Sequence, residues 1–169
     1  MKVVTLLPLV ILLGGCFTFE TKDIPSVRNF DAARYMGKWY EYARLPNSFE
    51  NGMTDVYAEY SLENGGKVKV VNTGFENGKK RSITGVARFA GQKDTGELLV
   101  SFFRPFYGRY RIVWLNKDYT CAVVTGASKE YLWILTRTPA FPPEMGNILS
   151  FLKSHGYAVE RLIYPHQKP

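Results

Sequence analysis

The sequence predicts an all-β domain, an eight-stranded up-and-down antiparallel barrel with one C-terminal α-helix packed outside. Three observations predict it. Aromatic residues make up 15% of the chain, with 11 Tyr, 11 Phe and 3 Trp, and large rings favour strands and apolar pockets. Turn signals (Asn64-Gly65-Gly66, Glu76-Asn77-Gly78, Asp94-Thr95-Gly96 and Asn116-Lys117-Asp118) recur between short alternating segments, the pattern of successive hairpins. No helical crossover interrupts them, so sequence neighbours pair antiparallel, and a closed ring of such strands removes its own edges. A sandwich satisfies the same periodicity and stays open at this point.

The strands are expected near 38–45, 54–62, 67–75, 82–89, 97–104, 109–115, 119–125 and 131–137, which places the barrel over about 38–137. A helix is expected over about 143–155. Pro142-Pro143-Glu144 starts it, Met145, Ile148, Leu149 and Leu152 recur at helical spacing, and His155-Gly156 stops it. Its apolar stripe should cover Leu132 and Ile134 on the barrel exterior, with a final extended segment over about 157–164.

Ahead of the domain, which should begin near residue 31, the chain reads as a targeting segment. Lys2 gives a positive start, Val3 to Leu13 is apolar, and Leu13-Gly14-Gly15-Cys16 ends in small residues before a cysteine. The run is too short for a spanning helix, which needs roughly 20 residues. Residues 1–15 are therefore expected to be a cleaved signal peptide. Leu13 to Cys16 resembles the bacterial lipobox, and that resemblance implies that Cys16 carries a diacylglyceryl group and an N-acyl chain. Acyl chains at roughly 0.8 kcal/mol per buried methylene make such an anchor permanent in practice. Residues 16–30 then form a lipidated N-terminus and linker. Phe17, where the inner-membrane retention signal would put Asp, favours the outer membrane, with the periplasmic face as its side.

The formal net charge is +7, but the basic residues are scattered, with Lys79-Lys80-Arg81 the only triplet, so no nucleic-acid partner is expected. Proximity to anionic headgroups, or a merely solvated basic surface, accounts for the excess. The chain has 2 Cys; with Cys16 lipidated, Cys121 has no intramolecular partner and reads as a small buried hydrophobe. Two separated histidines and one thiol make no metal cluster, and neither metal nor cofactor is expected.

Three blocks then resemble the lipocalin family, most closely the lipoprotein lipocalins of the bacterial outer membrane. Gly37-Lys38-Trp39-Tyr40-Glu41 is similar to the G-x-W signature of the first strand. Asp118-Tyr119 leading into Cys121 to Val124, and Tyr131 to Pro139 with its Arg137, are similar to the second and third blocks. The resemblance covers nearly the whole chain. It implies a calyx whose floor is closed by Gly37 and Trp39, with Arg137 lying across the indole. The disulfide common in animal members is missing, so packing must hold the C-terminal segment.

In a closed barrel alternate residues point inward. This alternation assigns to the interior, as candidate ligand contacts, Val56, Ala58 and Tyr60, then Val68 and Val70, then Gly85, Ala87 and Phe89, then Leu98, Val100 and Phe102, and finally Tyr110, Ile112 and Trp114. A one-residue slip inverts any such set. Gly85 and Ala87 hint at unfilled volume, and Arg104 is a candidate headgroup contact. The resemblance implies a fatty acid or lysophospholipid as ligand, bound for storage or transport. About fifteen methylenes yield roughly 12 kcal/mol of gross burial, against association costs of about 4–15 kcal/mol.

Two other readings compete. A lipid-acting enzyme lacks a G-x-S-x-G elbow, and Ser150 to Lys153, an S-x-x-K match, falls on the amphipathic helix without its companion motifs. Gly74 to Lys79 is one residue short of a P-loop. No catalytic residue is assigned, although Cys121 would serve if it faced the barrel interior. A scaffold lipoprotein without a small ligand predicts a filled barrel and a large exposed apolar patch. A homodimer is compatible with either binding reading.

Overall fold

The computed structural model describes residues 23–168; the signal peptide, Cys16 and the start of the linker lie outside the described residues. Eight strands, β1 (Gly37–Arg44), β2 (Thr54–Glu63), β3 (Lys67–Glu76), β4 (Lys79–Phe89), β5 (Glu97–Phe103), β6 (Phe106–Leu115), β7 (Cys121–Thr125) and β8 (Leu132–Thr136), form a closed barrel in sequence order. Each pairs antiparallel with the next, and β1 pairs with β8 to seal the ring. Hairpin turns of the expected Asn-Gly and Gly-Gly chemistry join them; Asn77 and Gly78 both have positive φ between β3 and β4.

The sequence-read strands match these spans to within a few residues. One short element was not anticipated: helix α1 (Ala32–Tyr35), whose N-cap Asp31 accepts hydrogen bonds from the backbone N–H of Ala33 and Arg34. Helix α2 (Met145–Ser154) buries Met145, Ile148 and Leu152 against Leu132 and Ile134 on the barrel exterior, as the apolar stripe predicts.

Strand direction gives the barrel two unlike ends. α1, the β2–β3 turn, residues 90–96 and residues 116–120 crowd one end, which is closed. Residues 45–53, the β3–β4 turn, the β5–β6 turn and residues 126–131 surround the other, which is the mouth.

Two bulges set which residues face in. In β6 the register slips between Ile112 and Trp114 against β7, and an extra residue in one strand inverts the alternation beyond it. The expected inward Trp114 is thereby turned outward. It packs with the exterior cluster under α2, while Leu115 takes the interior position. In β1 the slip between Glu41 and Ala43 against β8 sends Ala43 outward. Arg44 then lies opposite Trp133, whose ring packs against the inner core.

Residues 23–30 are not a free linker. They lie on the barrel wall, where Ile24 and Phe30 are buried and the Val27 N–H donates to the Ile112 carbonyl at 2.9 Å. The apolar spacing Ile24, Val27, Phe30 explains why this stretch docks. The C-terminal segment is extended only in part, because a 3-10 turn at Val159–Arg161 interrupts it. Its end fills a seam. β1 and β2 pair only from Gly37–Tyr60 to Tyr40–Tyr57, and beyond that the Gln167 amide donates to the carbonyls of both Glu41 (2.9 Å) and Val56 (2.8 Å).

Candidate ligand calyx

The closed end is sealed by one arginine and one indole. The Arg137 guanidinium lies 3.9 Å from the centroid of the Trp39 ring, a cation–π contact. It also donates to three backbone carbonyls, those of Tyr119 (3.1 Å), Lys38 (2.9 Å) and Arg34 (2.8 Å). Gly37 is required beside it: its φ is +93° and an added Cβ would sit 3.3 Å from Arg137 Nη1. Trp39 is fully buried and its indole N–H donates to the Tyr35 carbonyl at 2.8 Å.

Above this floor stand three tyrosines from three elements. Tyr35 stacks on Trp39 with ring centroids 4.7 Å apart, and the Tyr110 hydroxyl joins those of Tyr35 (2.8 Å) and Tyr60 (3.0 Å). Burial pushes the Tyr60 hydroxyl up to about 12 and the other two well above the usual tyrosine range, so all three are neutral and can donate as well as accept. The free space above them is narrow, about 10 Å³. Its walls include Val68, Val70, Ala87, Phe89, Leu98 and Val100 in addition to Tyr60 and Tyr110, with Phe30, Tyr35 and Met36 entering from the N-terminal segment.

Other residues assigned to the interior are placed differently. Ala58, Ile112 and Phe102 belong to the inner core without lining this space. Val56 is buried nearer the mouth, beside Gly74. Gly85 leaves no void, because a Cβ there would lie 2.7 Å from the Phe102 ring; that ring occupies the room the glycine leaves. Arg104 is exposed at the β5–β6 turn and lines a second, outer cleft with Lys67, Arg88 and Tyr107. Cys121 faces away from the interior, beneath α2, and burial pushes its thiol up to about 12. Such a position disfavours the reactive thiolate form.

The mouth holds a charge cluster that the sequence reading missed. Arg44, only 2% exposed, donates to the Glu41 carboxylate at 2.5 Å and to the Glu50 carbonyl at 2.6 Å. The Glu50 carboxylate in turn accepts from the Trp133 indole at 3.0 Å. Burial, reinforced by the neighbouring Glu50 charge, raises Glu41 from 4.5 to about 8 despite Arg44. Arg44 Nε makes no hydrogen bond, although the Glu50 carboxylate lies 3.8 Å away; on β3, Asn72 Oδ1 is also buried without a hydrogen bond. Asn72 lies opposite inward-facing Ala58. The available signal was the pair Glu41 and Arg44 in a strand whose neighbours are apolar, but the bulge that turns Arg44 inward leaves no mark in the sequence.

Residues 30–167 match the family model described as a lipocalin-like domain. The chain is a lipocalin. It is 42% identical to the outer membrane lipoprotein Blc of Citrobacter freundii over 86% of this chain and 84% of that one. With its namesake from Vibrio cholerae it shares 40% identity over 99% and 100% of the two chains, and with that of Escherichia coli 38% over 96% and 97%. These relatives make this lipocalin a lipid-anchored protein of the bacterial outer membrane. Among solved structures, insecticyanin from the tobacco hornworm Manduca sexta superposes with a TM-score of 0.73 at 19% identity, covering 90% of this chain and 88% of that one. The cockroach allergen Per a 4 gives 0.67 at 20%, covering 85% and 92%. At that identity the likeness concerns the fold alone. Family and fold together make the protein a binder of small hydrophobic ligands.

Proposed function

We propose that this lipocalin holds a single acyl chain, a fatty acid or a lysophospholipid, in its barrel, for storage or transport at the outer membrane to which lipidated Cys16 fastens it. The observation that carries the reading is the apolar wall above the tyrosine trio, built from Val68, Val70, Ala87, Phe89, Leu98 and Val100. The free space it encloses is about 10 Å³, far below the roughly 300–1,000 Å³ usual for ligand pockets, so these side chains must move apart to admit one tail. The polar end of the ligand would lie towards the mouth, where Asn72 Oδ1 makes no hydrogen bond and Arg44 Nε has only the Glu50 carboxylate, 3.8 Å away; this position replaces Arg104, which lies outside the barrel. The outward, alkaline Cys121 speaks against nucleophilic chemistry in the calyx.

Titration with fluorescent fatty acid and lysophospholipid analogues tests the proposal, with Ala87→Trp as the blocking variant. Ala87 is 1% exposed and lines the space, so an indole there should occupy the ligand's place. The expected result is saturable binding to the wild type, displaced by unlabelled lipid, and a loss of at least roughly tenfold in affinity in the variant, as one filled pocket position implies. Equal binding by both proteins would place the probe on the surface, and no saturable binding to the wild type would leave the scaffold reading.

A further inference from the structure

The mouth of the barrel also carries apolar side chains that the calyx does not use. Phe103 and Phe106 flank the β5–β6 turn at 71% and 77% exposure, and Phe49 and Tyr131 stack on each other at 56% and 40% exposure. Phe49 and Tyr131 lie on the connections around the mouth, and Phe103 and Phe106 are the end residues of β5 and β6 beside it. Away from the mouth, Leu62 on the β2–β3 side is 48% exposed and Phe141, on the connection from β8 to α2, is 68% exposed. Exposed aromatic side chains with a polar surround are how proteins meet the interfacial zone of a bilayer.

Charge at the same end points the same way. Glu76 is paired with Arg81, Glu50 is turned inward to Arg44 and Trp133, and Asp23 is paired with Lys129. The other exposed charges on and beside these turns are Lys79, Lys80 and Arg104 against Glu130. A basic excess beside aromatic rings suits anionic headgroups.

The tether adds an independent constraint. The described chain starts at Asp23, whose carboxylate pairs with Lys129 at 3.1 Å, between β7 and β8 at the mouth. Cys16 lies seven residues earlier, and seven residues reach at most about 25 Å. An anchor at Cys16 therefore joins the barrel from the mouth side and lets the mouth reach the lipid directly.

We infer that the mouth of the calyx docks on the anionic lipid surface to which the chain is tethered, with Phe49, Phe103, Phe106 and Tyr131 entering the headgroup zone and Lys79, Lys80 and Arg104 facing the headgroups. A ligand can then pass between leaflet and barrel without crossing open water. The inference rests on the Cys16 anchor proposed above, and its test keeps the two apart.

The full lipidated protein is reconstituted in phosphatidylglycerol vesicles with brominated acyl chains. Flotation with the vesicles reads the anchor; its failure would overturn the anchor and this inference with it. In floating protein, the emission of Phe103→Trp and Phe106→Trp is compared with that of the wild type, whose native indoles give the background, and with Leu62→Trp at the closed end. The expected result is added quenching of the indoles at 103 and 106, none at 62, and weaker quenching when phosphatidylcholine replaces phosphatidylglycerol. Unquenched indoles at 103 and 106, as burial against a second copy of the chain would give, overturn the docking. So does quenching at 62, and equal quenching in the two lipids overturns the role of anionic headgroups.

Discussion

The two ends of the barrel solve opposite problems with the same kinds of side chain. At the closed end one arginine, Arg137, has three carbonyl partners and an aromatic face, and the tyrosine hydroxyls above it satisfy one another. At the mouth another arginine, Arg44, is buried beside Glu41 and Glu50, with its Nε 3.8 Å from the Glu50 carboxylate and without a hydrogen bond. A satisfied buried network fixes one structure, whereas a partly satisfied one raises the energy of the empty state. The difference assigns stability to the closed end and exchange to the mouth.

The largest test of that assignment is Trp39→Ala. The indole is fully buried, stacks on Tyr35 and carries Arg137, so its removal should cost about 3–5 kcal/mol, read by urea denaturation. A cost below about 1 kcal/mol, typical of a surface site, would break the division between the two ends.

The mouth should respond to pH where the closed end does not. Glu41 keeps its proton in the folded protein up to about pH 8, against an ordinary value of 4.5. Folding therefore favours the protonated form. The stability this group contributes is complete below about 4.5, falls as pH rises through the interval and is gone above about 8. Glu41→Gln cannot ionise and should remove this slope, so the wild type should lose stability relative to the variant between those limits, by up to a few kcal/mol. Thermal melts at a series of pH values check it. A wild type that gains on the variant as pH rises would mean that the ion pair with Arg44 outweighs burial.

Much of the barrel was legible from alternation and turn chemistry because both are local. Strand spans and the stripe of α2 appear in the structure; the contact of Arg137 with Trp39 is not a local pattern and was implied only by the family resemblance. Trp114 and Arg44 were misplaced or missed for one reason: a bulge shifts the phase of every residue beyond it and depends on the neighbouring strand, not on its own sequence. Gly85 misled in another way, since whether a small residue leaves a void is decided by what lies across the sheet, here Phe102. Tyr35 belongs to a segment whose Asp31 cap was readable, but that it stacks on Trp39 is a property of the closed ring.

Tyr110→Phe sharpens the comparison with a smaller effect. The hydroxyl bonds both Tyr35 and Tyr60, and removing it leaves two buried hydroxyls short of a partner, a cost of about 1–3 kcal/mol. Acyl-probe affinity should fall less than tenfold, because the trio forms the floor beneath an apolar tail. A loss of affinity far beyond the loss of stability would instead place the ligand's polar end against the tyrosines and invert the orientation argued here.

The smallest expected effect lies at the seam beside the mouth. β1 and β2 part beyond Tyr40 and Tyr57, and Gln167 bridges the gap through one amide nitrogen with two carbonyl partners. Gln167→Ala should cost about 0.5–1.5 kcal/mol, because water can reach the freed carbonyls of a half-buried segment. Its more telling readout is hydrogen exchange. If the tail serves as the missing strand at the mouth, the Asp55 N–H, which donates to the His166 carbonyl at 2.7 Å, should exchange faster in the variant. The Tyr60 N–H, near the closed end, should not change. Acceleration at both would mean that the seam supports the whole barrel and that its two ends are not independent.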